Sequence, residues 1–165
     1  MIISISGTPK TGKTAVAKAL AKKLRWKLVS LNQLAQEKRL YLGYDRSRKS
    51  RIVDIKRLKS EVRRISKAHK NLILEAHYSH DIPCDAVVIL RTNPGELRRR
   101  MRKAGWPKKK IEENIEAEIM EIVKGEALES AKKVLEIDTT GKRPEWVAEQ
   151  IARRLSLKRN RLEPK

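Results

Sequence analysis

The sequence has a single cysteine and no long apolar stretch. Cys84 has no partner for an internal disulfide, so a disulfide scaffold is excluded and a reducing cytoplasm is the expected location. No apolar run approaches the ~20 residues that a membrane-spanning helix needs. The first ten residues, MIISISGTPK, do not have the basic flank and apolar stretch of a secretory signal. We therefore expect a soluble, cytoplasmic protein without a membrane partner.

Internal repeats, low-complexity segments and glycine-rich linkers are also missing. The chain has 165 residues and a mass of 19.0 kDa, which suits one domain with one sizeable core. We expect this domain to cover residues 1–157. The last eight residues, 158–165, read KRNRLEPK and carry little apolar content, so we expect a loose basic tail.

Acidic residues are few relative to basic ones. Lys and Arg number 40 against 20 Asp and Glu, which gives a net charge of +20 and a pI near 10.4. The surplus lies in three stretches, residues 46–70, 98–110 and 153–165, and the rest of the chain is nearly neutral. One interpretation is an anionic partner such as RNA or nucleotide phosphate. The other is a solvated, charge-rich surface of the heat-adapted kind, although heat adaptation favours mixed charge over a large surplus of one sign.

The spacing of apolar residues predicts an α/β protein. Five short apolar runs are expected to form strands, at about 2–5, 27–30, 71–75, 86–90 and 134–137. Apolar residues three and four positions apart predict helices between them, at 13–24, 32–40, 54–68, 96–103, from 111 past 122 with a weak point at Gly125, and around 147–155. This alternation predicts a five-stranded parallel sheet flanked by helices.

A phosphate-binding motif follows the first expected strand. Residues 7–14, GTPKTGKT, fit the pattern GxxxxGK[ST] and lie between a strand and an amphipathic helix. In such a loop, from Gly7 to Thr14, backbone N–H groups form a nest for phosphate oxygens at a helix N-terminus. Lys13 can reach the β- and γ-phosphates, and the hydroxyl of Thr14 can ligate Mg²⁺. The motif predicts a P-loop that binds ATP or another nucleoside triphosphate.

A magnesium-binding P-loop needs a carboxylate from a neighbouring strand, and Glu75 is the candidate. Glu75 closes the apolar run of residues 72–74, and we expect it to hold Mg²⁺ with Thr14, directly or through water. His77 follows and is expected either to orient or deprotonate a water or hydroxyl, or to be a hydrogen-bonded structural histidine. His77, His80 and Cys84 also allow a zinc site, but a fourth ligand and paired cysteine spacings are missing.

A second basic cluster lies on the expected helix 96–103. Five cations fall within six residues, Arg98, Arg99, Arg100, Arg102 and Lys103, before the sequence Gly-Trp-Pro at 105–107. In a phosphotransferase, a mobile lid at this place brings guanidinium groups over the transferring phosphate. The alternative is a basic, solvated helix face that does not contact nucleotide.

Several segments together resemble one family, the adenylate kinase 6 family, also known as the Fap7 or CINAP nucleotidases. In order along the chain they are GTPKTGKT, LAQEKRLYLGYD (34–45), ILEAHYSH (73–80), VVILRTNPGELRRRMRKAGW (87–106) and ENIEAEI (113–119). The resemblance reaches to about residue 152. It implies an adenylate-kinase-like P-loop NTPase with an NMP-binding insertion at about 30–53 and a lid at about 99–113.

The resemblance also implies activities and partners. It implies broad-specificity adenylate kinase activity, in which ATP and AMP give two ADP, and Mg²⁺-dependent ATP hydrolysis. It further implies a role in maturation of the small ribosomal subunit, with a ribosomal protein of the S-eleven type as partner. For the basic stretches 46–70 and 153–165 we expect rRNA or a pre-ribosome as partner. The open alternative is an assembly factor that hydrolyses ATP with little kinase activity. A kinase acting on polynucleotide 5′ ends or another metabolite is a more distant alternative.

The motif, the basic cluster and the resemblance together give a set of expected site residues. The expected ATP contacts are Gly7, Lys10, Gly12, Lys13, Thr14, Ala15, Arg100, Lys103 and Thr139. The expected catalytic residues are Lys13, Glu75, His77 and Arg100. Residues 138–141, Asp-Thr-Thr-Gly, follow the last expected strand, where this fold places a loop beside the adenine; a plain strand-to-helix turn is the alternative.

Four positions depart from the family pattern. Lys10 stands where glycine is usual, which costs backbone freedom but adds a cation near the phosphates. Glu75 stands where aspartate is usual, before an alanine and His77. Ala104 stands where the lid usually has arginine, and Arg102 or Lys103 is the candidate substitute. Gln36 stands where an NMP-side arginine is common, with Arg39 nearby on the same expected helix. Phosphoryl transfer to AMP is therefore a weaker expectation than ATP binding.

Overall fold

The computed structural model describes residues 1–47, 49–130 and 133–160. Its strands are β1 (Ile2–Ser6), β2 (Lys27–Ser30), β3 (Tyr41–Asp45), β4 (Ser50–Val53), β5 (Leu72–Glu75), β6 (Ala86–Arg91) and β7 (Val134–Asp138). Its helices are α1 (Lys13–Leu24), α2 (Leu31–Glu37), α3 (Ile55–Ala68), α4 (Pro94–Lys103), α5 (Lys108–Ile119), α6 (Ile122–Ser130) and α7 (Pro144–Arg154). A 3₁₀ turn covers Ser79–Asp81.

Five of the strands form one parallel sheet in the order β2-β5-β1-β6-β7. Helices cover both of its faces, and the predicted fold class, a five-stranded parallel sheet flanked by helices, is confirmed. The strands of the middle of the sheet are buried because each is almost wholly apolar, as in LILE of β5 and AVVILR of β6. The carboxyl ends of β1 and β5 lie side by side, with Ile5 level with Glu75.

Aliphatic side chains fill the space between sheet and helices. On one face, α1 and α7 pack against the sheet through residues such as Leu20 and Ile151, both fully buried. On the other face, α2 and α3 pack through residues such as Leu31 and Leu58. The α4–α5 pair has a small apolar cluster of its own, formed by Leu97, Met101, Ile111 and Ile115, with Trp106 against it.

The elements differ from the sequence-based expectations at three places. The predicted helix 32–40 ends at Glu37, so Arg39 lies beyond it, in a left-handed conformation with a φ of 52°. An antiparallel β3–β4 hairpin follows, which the apolar pattern of the sequence does not predict because its residues are mostly exposed. The expected helix from 111 past 122 is divided at Met120–Glu121, where Glu121 has a φ of 55°, and not weakened at Gly125.

The start of the expected loose tail is attached to the domain. The indole N–H of Trp26 donates to the carbonyl of Lys158 at 3.1 Å. The side chain of Asn160 accepts from the Asn71 amide at 2.6 Å and donates to the Arg25 carbonyl at 3.0 Å. Residues 158–160 are therefore fastened to the end of α1 by hydrogen bonds, and the remaining residues of the tail, 161–165, lie outside the described part of the chain.

Candidate active site

The predicted P-loop joins β1 to α1 at the carboxyl end of the sheet. It passes so close to β6 that a Cβ atom on Gly7 would lie 2.5 Å from the Leu90 carbonyl oxygen. Gly7 and Gly12 also have φ values of 138° and 95°, which side-chain-bearing residues rarely adopt. The two glycines therefore allow the loop to curl tightly between β1 and α1.

The ammonium of Lys13 lies inside this curl. Its Nζ donates to the carbonyl oxygens of Gly7 and Thr8, each at 2.9 Å, and the residue is 8% exposed. Burial lowers the pKa of Lys13 to about 8, although the charges of Glu75 and Glu118 favour the ammonium. The structure therefore holds the lysine where phosphates bind in loops of this type.

Thr14 and Glu75 bring two oxygen donors together beside the loop. The Thr14 hydroxyl donates to Glu75 Oε1 at 3.1 Å, and Glu75 is 6% exposed at the end of β5. Within residues 1–47, 49–130 and 133–160, no group of three or more His, Cys, Asp or Glu side chains is arranged to hold a metal. Mg²⁺ commonly takes one or two protein oxygens and completes its shell with phosphate oxygens and water. The pair fits Mg²⁺ bound together with a nucleotide.

His77 follows β5 in the loop beside this pair. Its ring contacts Tyr78 edge to face, with the ring centroids 4.8 Å apart. His77 is exposed, yet desolvation of the ring, together with the charge of Lys13, lowers the pKa of His77 to about 4. A neutral imidazole at ordinary pH can orient a water or hydroxyl by hydrogen bonding, and it is a weak base for removing a proton.

His80 is a structural residue. It is 5% exposed, and its two ring nitrogens contact Ser6 Oγ at 2.8 Å and Glu126 Oε2 at 3.1 Å. Both nitrogens are thus occupied, and the described residues contain no His–Cys metal cluster. The zinc alternative for His77, His80 and Cys84 therefore has no support.

The predicted lid reaches the P-loop through Arg100. Its Nη1 donates to the Lys10 carbonyl at 3.1 Å, and the same guanidinium pairs with Glu96. Lys10 has a φ of 71°, and its Nζ lies 5.7 Å from the centroid of the Trp106 ring, which Lys110 approaches at 4.3 Å. Lys10 is therefore held between loop and lid by its backbone and its side chain.

The remaining predicted nucleotide contacts are Ala15, Lys103 and Thr139. Ala15 is exposed on the first turn of α1, and Lys103 is exposed at the end of α4. Thr139 is buried, and its Oγ1 contacts the carbonyls of Thr11 and Arg91 at 3.0 and 2.9 Å. Its N–H donates to Arg91 and its carbonyl accepts from Lys142. Thr139 thus supports the P-loop through its hydrogen bond to the Thr11 carbonyl. A contact between Thr139 and the adenine stays a prediction.

A group of polar residues next to the P-loop was not among the residues predicted from the sequence. Glu118 is 3% exposed and accepts hydrogen bonds from Thr8, Arg91 and Thr92. A signal was present, because Glu118 lies in the ENIEAEI segment, and Arg91 and Thr92 lie in the VVILRT segment, two of the segments that carried the resemblance. Sequence spacing alone did not indicate that the two segments meet.

The fold and the sequence match known proteins. A family profile described as AAA domain matches residues 3–121. Shikimate kinase from Acinetobacter baumannii has the same fold, with a TM-score of 0.64 and 16% identity over 94% of this chain and 93% of that one. These likenesses define an AAA-domain protein with a P-loop kinase-like fold.

Two archaeal proteins are much closer in sequence. One from Methanosarcina acetivorans is 40% identical over 157 residues, and one from Thermococcus onnurineus is 43% identical over 152 residues. Each alignment covers 92% of this chain, and 84% and 82% of the relatives. Both relatives bear the name "Putative adenylate kinase". The chain belongs to the family that these archaeal proteins represent.

The helices of the described residues are too short or too polar to cross a membrane.

Proposed function

We propose that this protein is an adenylate kinase of the adenylate kinase 6 type, which transfers a phosphoryl group from ATP to AMP. The observation that carries the proposal is the buried Lys13 ammonium inside the P-loop, next to the Thr14–Glu75 pair. The names of the archaeal relatives point the same way. A cationic loop with an adjacent hydroxyl–carboxylate pair is the arrangement that a triphosphate and Mg²⁺ require.

Each residue of the site has a role in this proposal. The backbone N–H groups of residues 10–15 bind the phosphates, and Lys13 exchanges its two carbonyl partners for phosphate oxygens. Thr14 and Glu75 hold Mg²⁺, which neutralises phosphate charge when it is bound with ATP. His77 orients the attacking hydroxyl or water. Arg100, with Lys10 and Lys103 nearby in the lid, stabilises the charge that spreads over the transferring group.

For AMP we propose the segment 30–53 as the binding region. It consists of α2 and the β3–β4 hairpin. The segment begins at the end of β2, next to Glu75 on β5. Gln36 is exposed on α2, and Arg39 is exposed just beyond the helix end. Because position 36 holds glutamine, we propose Arg39 as the cation that contacts the AMP phosphate at this end of the segment.

A coupled assay tests the kinase proposal. We expect ADP to form from ATP plus AMP at least tenfold faster than from ATP alone, and a Lys13→Ala variant to lose this activity. Lys18→Ala is the matched control, because Lys18 is an exposed lysine on the next turns of α1. Equal rates with and without AMP would contradict the kinase proposal, and unchanged turnover in Lys13→Ala would contradict the site.

A second proposal concerns ATP hydrolysis in maturation of the small ribosomal subunit. In this proposal His77 orients a water, and the partners are a ribosomal protein of the S-eleven type and rRNA. The observation that favours it is the exposed basic surface of α3, which carries Lys56, Arg57, Arg63 and Lys67 on its solvent side. This surface is formed by the stretch 46–70, of which Arg48 lies outside the described residues.

Binding and turnover measurements test the second proposal. We expect labelled small-subunit rRNA fragments to bind at moderate salt, and RNA or the S-eleven-type protein to change the rate of ATP hydrolysis. A His77→Ala variant should hydrolyse ATP more slowly while its affinity for ATP is retained. If neither partner binds or changes turnover, the assembly role has no support. An equal loss of ATP affinity in His77→Ala would assign that histidine a structural role.

A further inference from the structure

Glu118 is a buried carboxylate that joins three separate parts of the chain. Its Oε2 accepts from the Thr8 hydroxyl at 2.5 Å. Its Oε1 accepts from Arg91 Nε at 2.7 Å and from the backbone N–H of Thr92 at 3.1 Å. The residue is 3% exposed. A buried carboxylate with donors on both oxygens, one of them charged, is held in one orientation.

The contact with Thr8 leads directly to Lys13. The Thr8 carbonyl accepts from Lys13 Nζ at 2.9 Å, from Thr11 Oγ1 at 2.9 Å and from the Thr11 N–H at 3.3 Å. The preceding carbonyl, that of Gly7, is the other acceptor for the same ammonium. Fixing the Thr8 side chain therefore fixes the two carbonyls that hold the lysine.

The other side of Glu118 is anchored independently of Thr8. Arg91 Nη2 donates to the Glu118 backbone carbonyl at 2.8 Å, and Arg91 Nη1 pairs with Glu121 at 2.7 Å. These bonds attach the end of α5 to the end of β6. Since α5 begins inside the predicted lid and packs on α4 through Ile111 and Ile115, Glu118 lies at the junction of lid, sheet and P-loop.

We propose that Glu118 is a positioning residue for phosphoryl transfer, which holds Thr8 and thereby sets the orientation of the P-loop around the Lys13 ammonium. The proposal rests on the proposed ATP-dependent function of the same site. It assigns Glu118 no contact with ATP or AMP. Its effect reaches the nucleotide through Thr8 and the course of the P-loop backbone.

Substitutions of Thr8 distinguish a positioning role of Glu118 from a merely structural role. A Thr8→Val variant keeps the shape of the side chain and leaves the Arg91–Glu118 and Thr92–Glu118 bonds in place, so the anchoring of α5 is retained. Only the bond between the carboxylate and the P-loop is lost. Thr8→Ser restores a hydroxyl at the same position and should restore the bond.

The experiment measures KM for ATP, kcat and the melting temperature of each variant. We expect Thr8→Val and Glu118→Gln to lower kcat/KM for ATP by about 10- to 100-fold, the range that small displacements of catalytic groups produce. Thr8→Ser should stay within about threefold of the parent protein, since the hydrogen bond is kept. The Thr8→Val/Glu118→Gln double variant should be no slower than the slower single variant, because both changes remove one interaction. Glu61→Gln is the control, because it breaks an ion pair with Arg64 on α3, outside the site.

The outcomes separate this inference from the proposed function. If Thr8→Val lowers the melting temperature but leaves KM and kcat within twofold of the parent, Glu118 serves stability alone and the inference is wrong. Additive losses in the double variant would also contradict it. If the parent protein itself turns over no ATP, with or without AMP, the proposed function fails first. Glu118→Gln need not fold for the test to succeed, since Thr8→Val and Thr8→Ser decide it.

Discussion

At the scale of single residues, the buried ammonium of Lys13 has a consequence for pH dependence. Its pKa in the free protein is lowered to about 8, whereas bound phosphates favour the charged form. Above pH 8, Lys13 is mostly neutral in the free protein, so ATP binding is coupled to uptake of a proton by Lys13. The affinity for ATP therefore falls as pH rises. We expect Kd for ATP to increase about fivefold between pH 8 and pH 9. Titration calorimetry in buffers of different ionisation enthalpy measures both the affinity and the proton uptake.

A Lys13→Arg variant is the control for this pH dependence. Arginine remains charged throughout this range, so its ATP affinity, although weaker, should not change between pH 8 and pH 9. An equal loss of affinity in parent and variant would place the titrating group elsewhere.

His77 supports a second prediction of the same kind. With its pKa lowered to about 4, the imidazole stays neutral above about pH 5. A histidine with the ordinary pKa near 6.5 would change its charge between pH 6 and pH 7. We therefore expect kcat to show no inflection in that interval. A pH–rate profile at saturating ATP measures this, and an inflection near 6.5 that disappears in His77→Gln would show that the histidine titrates normally.

At the scale of elements, the contact between the P-loop and the α4–α5 pair depends on Lys10. Lys10→Gly relieves a left-handed φ, which costs about 1 to 2 kcal/mol. The change also loses the weak contact with Trp106 and adds the backbone entropy of glycine, each about 0.5 to 1 kcal/mol. Because these effects nearly cancel, we expect the melting temperature to change by no more than about 3 °C.

The same Lys10→Gly variant should bind ATP several-fold more weakly, because it removes a cation near the phosphates while the backbone carbonyl keeps its bond with Arg100. Lys110→Ala is the control, since it removes the other lysine over the Trp106 ring and leaves the P-loop untouched. If both variants change the affinity for ATP equally, Lys10 acts through its contact with Trp106, like Lys110, and not through the phosphates.

Buried elements were predictable from the sequence, and exposed ones were not. Strands such as β5 and β6 are apolar on both faces because helices cover both sides of the sheet, so their apolar runs identify them. The β3–β4 hairpin has no such signal, because Leu42 and Tyr44 are 71% and 57% exposed. The break between α5 and α6 depends on one left-handed residue, Glu121, and a run of evenly spaced isoleucines does not reveal it.

Within the site, the contacts that follow from the P-loop motif and the order of the strands were predictable, and the contacts made by α5 were not. Lys13 and Thr14 belong to one contiguous motif, and Glu75 ends the strand that lies next to β1. Their proximity therefore follows from the parallel sheet. The contacts of Glu118 with Thr8 and Arg91 span 110 and 27 positions. They depend on how α5 returns to the sheet, which apolar periodicity does not describe.

At the scale of the whole molecule, the uneven charge supports a prediction about RNA. If the exposed cations of α3 contact RNA, log affinity should fall with log salt with a slope of about −0.7 per phosphate contact on single strands. An Arg63→Gln/Lys67→Gln variant should reduce the steepness of this slope by about 1.4. Fluorescence anisotropy with a labelled rRNA fragment at several salt concentrations measures it.

The control for the RNA prediction removes two charges elsewhere. Lys18→Gln/Lys22→Gln changes two exposed lysines of α1 and therefore lowers the net charge equally. An equal reduction in slope would indicate that only the overall charge matters. If binding does not depend on salt, or if RNA does not bind, the surplus charge of α3 is better explained as a solvated surface of the heat-adapted kind.

The tryptophans lie in three different parts of the molecule, so intrinsic fluorescence can report on these parts separately. There are 3 of them. Trp26 is buried against the end of the described chain, Trp106 lies at the turn between α4 and α5 beside two ammonium groups, and Trp146 lies on α7. Each therefore senses a different neighbourhood. A change of intrinsic emission on adding ATP that is lost in Trp106→Leu, but kept in Trp146→Leu, identifies the α4–α5 turn as the part that responds to the nucleotide.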